Sequence, residues 1–580
     1  MAQNVYFNGE LLTIPGAYST TDVSAMSTKG DSDTAKVIAL IGECTGGEPG
    51  VVQFFTEPTA ARKVLKSGEL LKACEKAWNP VSKSKTGVKL DGANLIACIR
   101  SNEATKSSTT INDGQLVISS KDWGANTAFQ VKLQDGTVKG SKKLVTYDQV
   151  NGTYETIDNI GALFTLKYTG NQKYAEVNIQ PSDDGYSYLT TKVGEDAGTA
   201  TEDIKIKLDR IKIKSIKTLI GEIQAYENYQ LIIPGNYNPR LKVTDLDEVS
   251  ALDITSAQPI TALYADMKSK LENSSQLIEL TSFDASKGKI ENFDYITLEG
   301  GTEGVSPASW VKFFDALSNY DIFYIVPLTG DKAIHAELIA HINELSGSMG
   351  RERRCVLGGN IGETLLETID RSKTAAFDRV QVVYGGFWDY DSNNELTLYP
   401  PYILAAQHAG RAAYLEDGEP ATHDVYRMAA PEYKLERNEI TQLLQNGVLA
   451  FEFVLGKTGT SQSYVRLVQD LTTDVLSTDT VHTERATGAL ADSINKQIRE
   501  ELDDLLTGRK TTSSDLTSAK NRIISILDDR KRKNQIIDYK DVYVTKSGTV
   551  TEVDFSVAPA EPNNFTLITA HYYSQDISAE

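Results

Sequence analysis

The chain is poor in cysteine. Its 580 residues hold four, Cys44, Cys74, Cys98 and Cys355. They are too scattered for a C-x-x-C pair or a zinc-ligand spacing, and each sits in an apolar setting, so buried, reduced thiols are expected. Long apolar runs are missing as well. None approaches the ~20 residues that span a bilayer, and direct membrane insertion is not expected. The opening MAQNVYFNGE has neither a basic stretch nor an apolar core and does not read as a secretory signal. Positive charge is in deficit, with 59 Lys and Arg against 79 Asp and Glu and a net charge of −20. That balance speaks against sequestering nucleic acid or coating an anionic membrane.

Histidine is scarce too, and its placement argues against catalysis. His335 and His341 fall on nearly opposite faces of an expected helix, where a zincin needs an i, i+4 pair. His408, His423, His482 and His571 stand singly. Around Gly347-Ser348-Met349 the hydrolase elbow G-x-S-x-G fails, because Ser346 occupies the first glycine's place. No Asp or His stands in the local settings that orient a serine-protease triad. The run Gly42-Glu43-Cys44-Thr45-Gly46-Gly47 has a phosphate-loop frame, yet Glu48-Pro49 replaces the Lys and Ser/Thr that hold phosphate and metal. No catalytic residue, metal site or cofactor is expected.

What is present reads as several domains. Residues 1–33 read as an N-terminal extended arm with a lone strand at 17–23, punctuated earlier by Asn8-Gly9 and Pro15-Gly16. Residues 34–100 read as an α/β segment. Its buried strands are VIALIG at 37–42 and ANLIACIR at 93–100, with helical patterns at 59–65 and 69–78 between them. Residues 101–231 are β-rich, with short alternating runs, and Lys205 and Lys207 interleave with Ile204, Ile206 and Leu208. Residues 232–427 return to α/β.

The stretch KLERNEITQLLQNGVLAFEFVLGKTGTSQSYVRLVQDLTT predicts a helix over 437–445 with Ile440, Leu443 and Leu444 on one face. Asn446-Gly447 ends it, and strands follow at 448–455 and 464–468. In the first strand Leu449, Phe451 and Phe453 share a face. A helical hairpin comes next, then a β-hairpin about Ser547-Gly548. The second helix ends in Arg530, Lys531, Arg532 and Lys533. Those cations suit a helix's negative end, or they face an acidic partner. Past Pro559 and Pro562 a last strand is predicted at 565–573, FTLITAHYY. It either completes its own sheet or is donated to another subunit.

The 434–473 stretch resembles the C-terminal module of contractile-tail sheath proteins. LEGGTEG at 298–304, W-x-x-F-F at 310–314 and the strand IFYIVPL at 322–328 resemble that family's middle domain, and VIALIGECTGGEP at 37–49 adds an earlier match. The resemblance implies a multidomain α/β and α+β chain. Its inner α+β polymerisation domain would combine the N-terminal arm, 34–100 and the module at 428–558, with the C-terminal arm strand at 559–580. The β-rich insertion and a subtilisin-like, non-catalytic 232–427 domain would lie outside. It implies hexameric rings of this chain around an inner tail tube protein in a metastable extended state, with baseplate and tail terminator proteins as further partners. Assembly in the host cytoplasm into a virion tail is implied too. The subunit-linking arms would use Ala17, Tyr18, Val23, Phe565, Leu567, Ile568 and Tyr572, and the 530–533 cations would meet the tube or a neighbour. An α/β hydrolase and a surface-layer protein are the alternatives.

Overall fold

The structure is a computed structural model that describes residues 5–7, 10–12, 36–83, 91–209, 213–235, 237–347, 350–391, 393–456 and 462–573. The chain divides into two compact units. One holds Ala104–Gly304 with the first twenty residues, and the other holds Thr21–Glu103 with Val305–Glu580.

The second unit is built on a seven-stranded sheet. Its strands are β1 (Ile38–Gly42), β2 (Val52–Phe55), β3 (Ile96–Arg100), β4 (Tyr324–Pro327), β5 (Arg354–Gly358), β6 (Val380–Val383) and β7 (Val448–Leu449). The spatial order is β7-β6-β5-β4-β1-β3-β2. All neighbours are parallel except β2, which runs antiparallel to β3. Every residue of β1, β3, β4, β5 and β6 is buried, as a parallel sheet covered on both faces requires.

Alternate residues serve the two faces. Ile38, Leu40, Ile96 and Cys98 pack under the helices Glu69–Trp78 and Pro401–Tyr414, whereas Ala39, Ile41, Ala97 and Ile99 join Phe313, Phe314, Leu338 and Leu443 on the other side. The Pro401–Tyr414 helix is buried along nearly its whole length. It sits so close to its neighbour that a Cβ on Gly410 would stand 2.2 Å from the Ala77 carbonyl oxygen. All four cysteines are buried, and none of them forms a disulfide. The Gly42–Gly47 loop is tied to neighbouring segments, with the Cys44 N–H donating to Asn102 Oδ1 at 3.2 Å and the Gly46 N–H to the Leu65 carbonyl at 3.1 Å.

This sheet differs from the expected boundaries. Strands from 34–100, from 232–427 and from the terminal module lie side by side in it. Continuous apolar strands need neighbours on both edges and cover on both faces, and pairing depends on that need, with no regard to distance along the chain. The predicted strand at 448–455 is likewise two strands. It breaks at Ala450, after which β8 (Phe451–Val454) pairs antiparallel with β9 (Tyr464–Leu467) in a separate four-stranded sheet. Leu449, Phe451 and Phe453 still face one cluster, because the change of sheet preserves the alternation.

The Ala104–Gly304 unit is antiparallel β structure with the helices Ile216–Gln224 and Leu263–Ser274. It extends well past residue 231, because Val249–Asp253, Gln258–Thr261, Ile278–Phe283 and Phe293–Thr297 each pair with strands that start before residue 182. On the second unit the Glu103 N–H donates to the Val305 carbonyl at 3.1 Å, so the insertion leaves and returns at one point. Val5–Phe7 and Glu10–Leu12 form an antiparallel pair. The predicted strand at 17–23, with Ala17, Tyr18 and Val23, lies outside the described residues.

Candidate assembly surface

After β7, β8 and β9 the terminal module continues in two long helices, Arg485–Leu506 and Ser513–Arg532. Leu490, Ile494 and Ile498 on the first meet Ile523, Ile526 and Leu527 on the second. Thr512 and Asp515 make a reciprocal capping box at the second helix's start. The hairpin of β10 (Ile536–Ser547) and β11 (Val550–Pro559) closes the same core through Ile536 and Val542. Ser547 pairs with Val550, and Gly548 takes the positive φ of 60° that this tight turn needs. Among the described residues the hairpin is a sheet of its own, two strands wide.

Buried ion pairs fasten this module to the parallel sheet. Arg485 Nε donates to Asp470 Oδ2 at 2.7 Å, and its Nη1 reaches the Tyr324 hydroxyl on β4 at 3.2 Å. Burial opposes charge on Asp470, but Arg485, with His408 beside it, holds the carboxyl well below its usual range. Asp492 accepts from Arg354 Nε at 2.8 Å and from Arg379 Nη2 at 2.7 Å.

Arg530 belongs to this set, which corrects its expected role. It is 1% exposed. It donates to Asp417 Oδ2 at 2.6 Å, Gln535 Oε1 at 2.8 Å, Ser493 Oγ at 2.8 Å and Gln497 Oε1 at 3.0 Å. Asp417 also pairs with Lys36 at 2.8 Å. Burial would raise the Asp417 carboxyl, and Lys36 and Arg530 outweigh it and hold the group low. Arg530 follows Ile523, Ile526 and Leu527 at helical spacing, so it lies on the apolar stripe and faces inward. Lys531, Arg532 and Lys533 do lie outside that core, each beside a carboxylate: Asp538 at 2.8 Å, Asp529 at 2.8 Å and Asp529 at 3.3 Å.

The tail after Pro559 departs from the first of its two expected arrangements, in which it completes its own sheet. The predicted strand over 565–573 is not a strand within the subunit. Phe565, Leu567, Ile568 and Tyr572 are 80, 93, 85 and 94% exposed. The hairpin has completed its own ladder, and prolines at 559 and 562 remove backbone donors on the approach to it. Among the described residues only the tail's root is tied down. The Ala560 N–H donates to the Gln535 carbonyl at 3.1 Å, Thr480 Oγ1 to Glu561 Oε1 at 2.9 Å, and Asn564 Nδ2 to Glu484 Oε1 at 2.8 Å. These anchors were not visible in the sequence, where Thr480 and Glu484 are ordinary polar residues at a helix start.

His335 and His341 are engaged in hydrogen bonds within the fold. His335 Nε2 donates to the Thr329 carbonyl at 2.8 Å and its Nδ1 accepts from Arg371 at 2.9 Å. Burial first, then the Arg371 guanidinium, push the ring down to about 3. His341 accepts from Arg353 at 3.0 Å and is pushed down to about 4 by burial and that guanidinium. A cavity of about 390 Å³ beside His335 is walled mostly by Ala336, Ile339, Ala340, Leu357 and Phe377. Its cations are engaged, Lys332 with Asp370 at 2.6 Å and Arg371 with Glu363 at 2.7 Å. Among the described residues no group of three His, Cys, Asp or Glu is placed to hold a metal, and no helix is long and apolar enough to cross a membrane.

Fold and surface thus define a class: a sheet-built body whose terminal module, docked through buried ion pairs, holds out an apolar tail. No family model matches the chain. Whole-chain relatives do. The chain is 30% identical over 580 residues to the tail sheath protein of Bacillus phage SP01, covering 99% of this chain and 98% of that one. It is 26% identical over 580 residues to the tail sheath protein of Staphylococcus phage Twort, covering 94% and 95%. In fold it is similar to the sheath tail protein of Listeria innocua, with a TM-score of 0.55 at 14% identity over 93% of this chain and 95% of that one. The sheath tail protein of Desulfitobacterium hafniense gives a TM-score of 0.51 at 13% identity over 94% and 100%. The chain belongs to the family of phage tail sheath proteins.

Proposed function

We propose that this chain is the subunit of a contractile tail sheath, polymerising as stacked hexameric rings around a rigid inner tube and contracting to drive the tube through a host envelope. The extended sheath stores free energy as the difference between two packings of one folded subunit, so contraction needs no fuel and no catalytic site. One observation carries the reading. Phe565, Leu567, Ile568, Tyr572 and Tyr573 stand exposed on a tail whose root is hydrogen-bonded to the folded module. Such a segment is a liability on an isolated molecule and a joint when a neighbour's strand edge receives it. The two-stranded β10–β11 hairpin offers such edges.

In this reading the partners are other copies of the chain, the inner tube protein, the baseplate and the tail terminator, and the site of action is the virion tail after assembly in the host cytoplasm. Lys531, Arg532 and Lys533 remain available to an acidic neighbour, and the N-terminal arm, with Ala17, Tyr18 and Val23, would be a second link. Negative-stain electron microscopy of the purified protein tests the reading. Striated tubes of uniform diameter are expected, and monodisperse particles at every concentration and salt would overturn it.

A further inference from the structure

Asn564 is the last tail residue hydrogen-bonded to the folded module among the described residues, and its partner is an unusual carboxylate. Glu484 is 2% exposed. Its Oε1 accepts from Gln469 Nε2 at 2.8 Å and from Asn564 Nδ2 at 2.8 Å. Its Oε2 is buried with no hydrogen-bond partner, and so is Asn564 Oδ1. Two side chains already joined by one bond therefore each bury an oxygen that lacks a donor. A single proton satisfies both. A neutral carboxyl keeps accepting the amide N–H at Oε1 and donates its own O–H to the amide oxygen, which closes the two-bond ring of an acid–amide pair.

We propose that Glu484 is a proton-operated catch for the C-terminal tail: neutral, it closes the two-bond ring with Asn564 and holds the tail root, and ionised, it faces the amide oxygen without a donor and releases it.

The surroundings favour the neutral form. Burial, assisted by Asp470, raises the Glu484 carboxyl to about 7, against the opposing pull of Gln469, Asn564 and Arg485. Asp470 and Arg485 are paired with each other at 2.7 Å. Asp479 caps the short turn that carries Thr480, and Glu561 on the tail is bound by Thr480. His482 on the same turn pairs with Asp378 at 2.9 Å, and that hydrogen bond raises its pKa. The sign follows from linkage. The docked root binds a proton that a released, water-exposed Glu484 gives up near the ordinary 4.5. Docking is therefore fully supported below that value and is lost as pH rises through about 7.

The catch operates within the isolated subunit, wherever the released tail goes. A nitroxide on Thr566→Cys of the full chain reads it, because the four native thiols are buried and label poorly. Between pH 5 and 9 the spectrum is expected to pass from slow to fast motion with a midpoint near neutrality. Glu484→Gln, whose amide supplies an N–H to Asn564 at any pH, should stay slow throughout. Asn564→Ala should stay fast, and His482→Gln should keep the native midpoint. A native spectrum that does not change with pH, a transition that survives in either Glu484→Gln or Asn564→Ala, or a midpoint lost with His482 would overturn the proposal. Asn564→Ala, on a half-buried position, decides the matter if Glu484→Gln does not fold.

Discussion

Arg530 shows how much one position on a helix can matter. In a run of four cations it alone turns inward, and its Nη1 and Nη2 meet Asp417, Gln535, Ser493 and Gln497. Removing a guanidinium from such a site leaves a buried carboxylate undercompensated. Arg530→Gln should cost on the order of 3 kcal/mol, tempered because Lys36 stays on Asp417. The deficit should be largest at neutral pH. It should shrink as pH falls and Asp417 protonates, because the stabilisation tied to a lowered carboxyl exists above its ordinary pKa and is lost in acid. Thermal unfolding of the two proteins between pH 7 and pH 3 checks both statements. Lys531→Gln, Arg532→Gln and Lys533→Gln, at screened surface pairs, should each change stability by no more than about 0.5 kcal/mol. If these three meet an acidic neighbour, their triple variant should still lower the salt tolerance of tubes in sedimentation. Equal sedimentation at all salt concentrations would leave them as a helix end.

At the level of elements, the tail is the part whose loss separates folding from assembly. Its apolar residues add nothing to the module's core, which is complete without them. Removing residues 563–580 should leave a soluble protein with a cooperative melt and no stable tubes. Buried against a neighbour, Phe565, Leu567 and Ile568 would contribute about 1.5–3 kcal/mol apiece, and backbone pairing about 1 kcal/mol per bond, less the cost of ordering the tail. Sedimentation velocity distinguishes the outcomes, since an insoluble truncation would make the tail a core element and intact tubes would deny it any linking role.

The same scale explains what was legible in the sequence. The helix Arg437–Gln445 has the residues expected, Gly447 follows it at φ 68°, and the hairpin turns at Gly548, because such local signals are written in neighbouring residues. The break at Ala450 was not legible, because Val448 and Phe451 are equally good strand residues and only their distant partners, β6 and β9, differ. Arg530 was legible in principle, through its spacing from Ile523, Ile526 and Leu527. The tail root was not, since Glu484 and Asn564 lie 80 residues apart.

For the whole molecule, the junction at Glu103 and Val305 sets the expectation. The chain departs and returns within one hydrogen bond, and the seven-stranded sheet uses no strand from the insertion. Replacing residues 104–304 with a short Gly-Ser linker should therefore leave the sheet and the terminal module folded, because a loop that joins adjacent ends costs little to close. Circular dichroism should lose β signal and retain a cooperative transition, and fragment 104–304 expressed alone should fold on its own four-sheet core. A shortened protein without a cooperative transition would mean that the two units depend on each other for stability.

The buried pairs Arg485–Asp470, Asp492–Arg354 and Arg530–Asp417 have a mechanical consequence. Tension applied to the tail enters at Gln535, Thr480 and Glu484, runs into the long helix that starts at Arg485, and reaches the strands of the parallel sheet through ion pairs shielded from water. The body is then joined through charge-assisted bonds and the tail root mainly through a few hydrogen bonds. In a chain of such links, displacement gathers at the joints, and work released at one end travels to the other with little spent on deforming the bodies between.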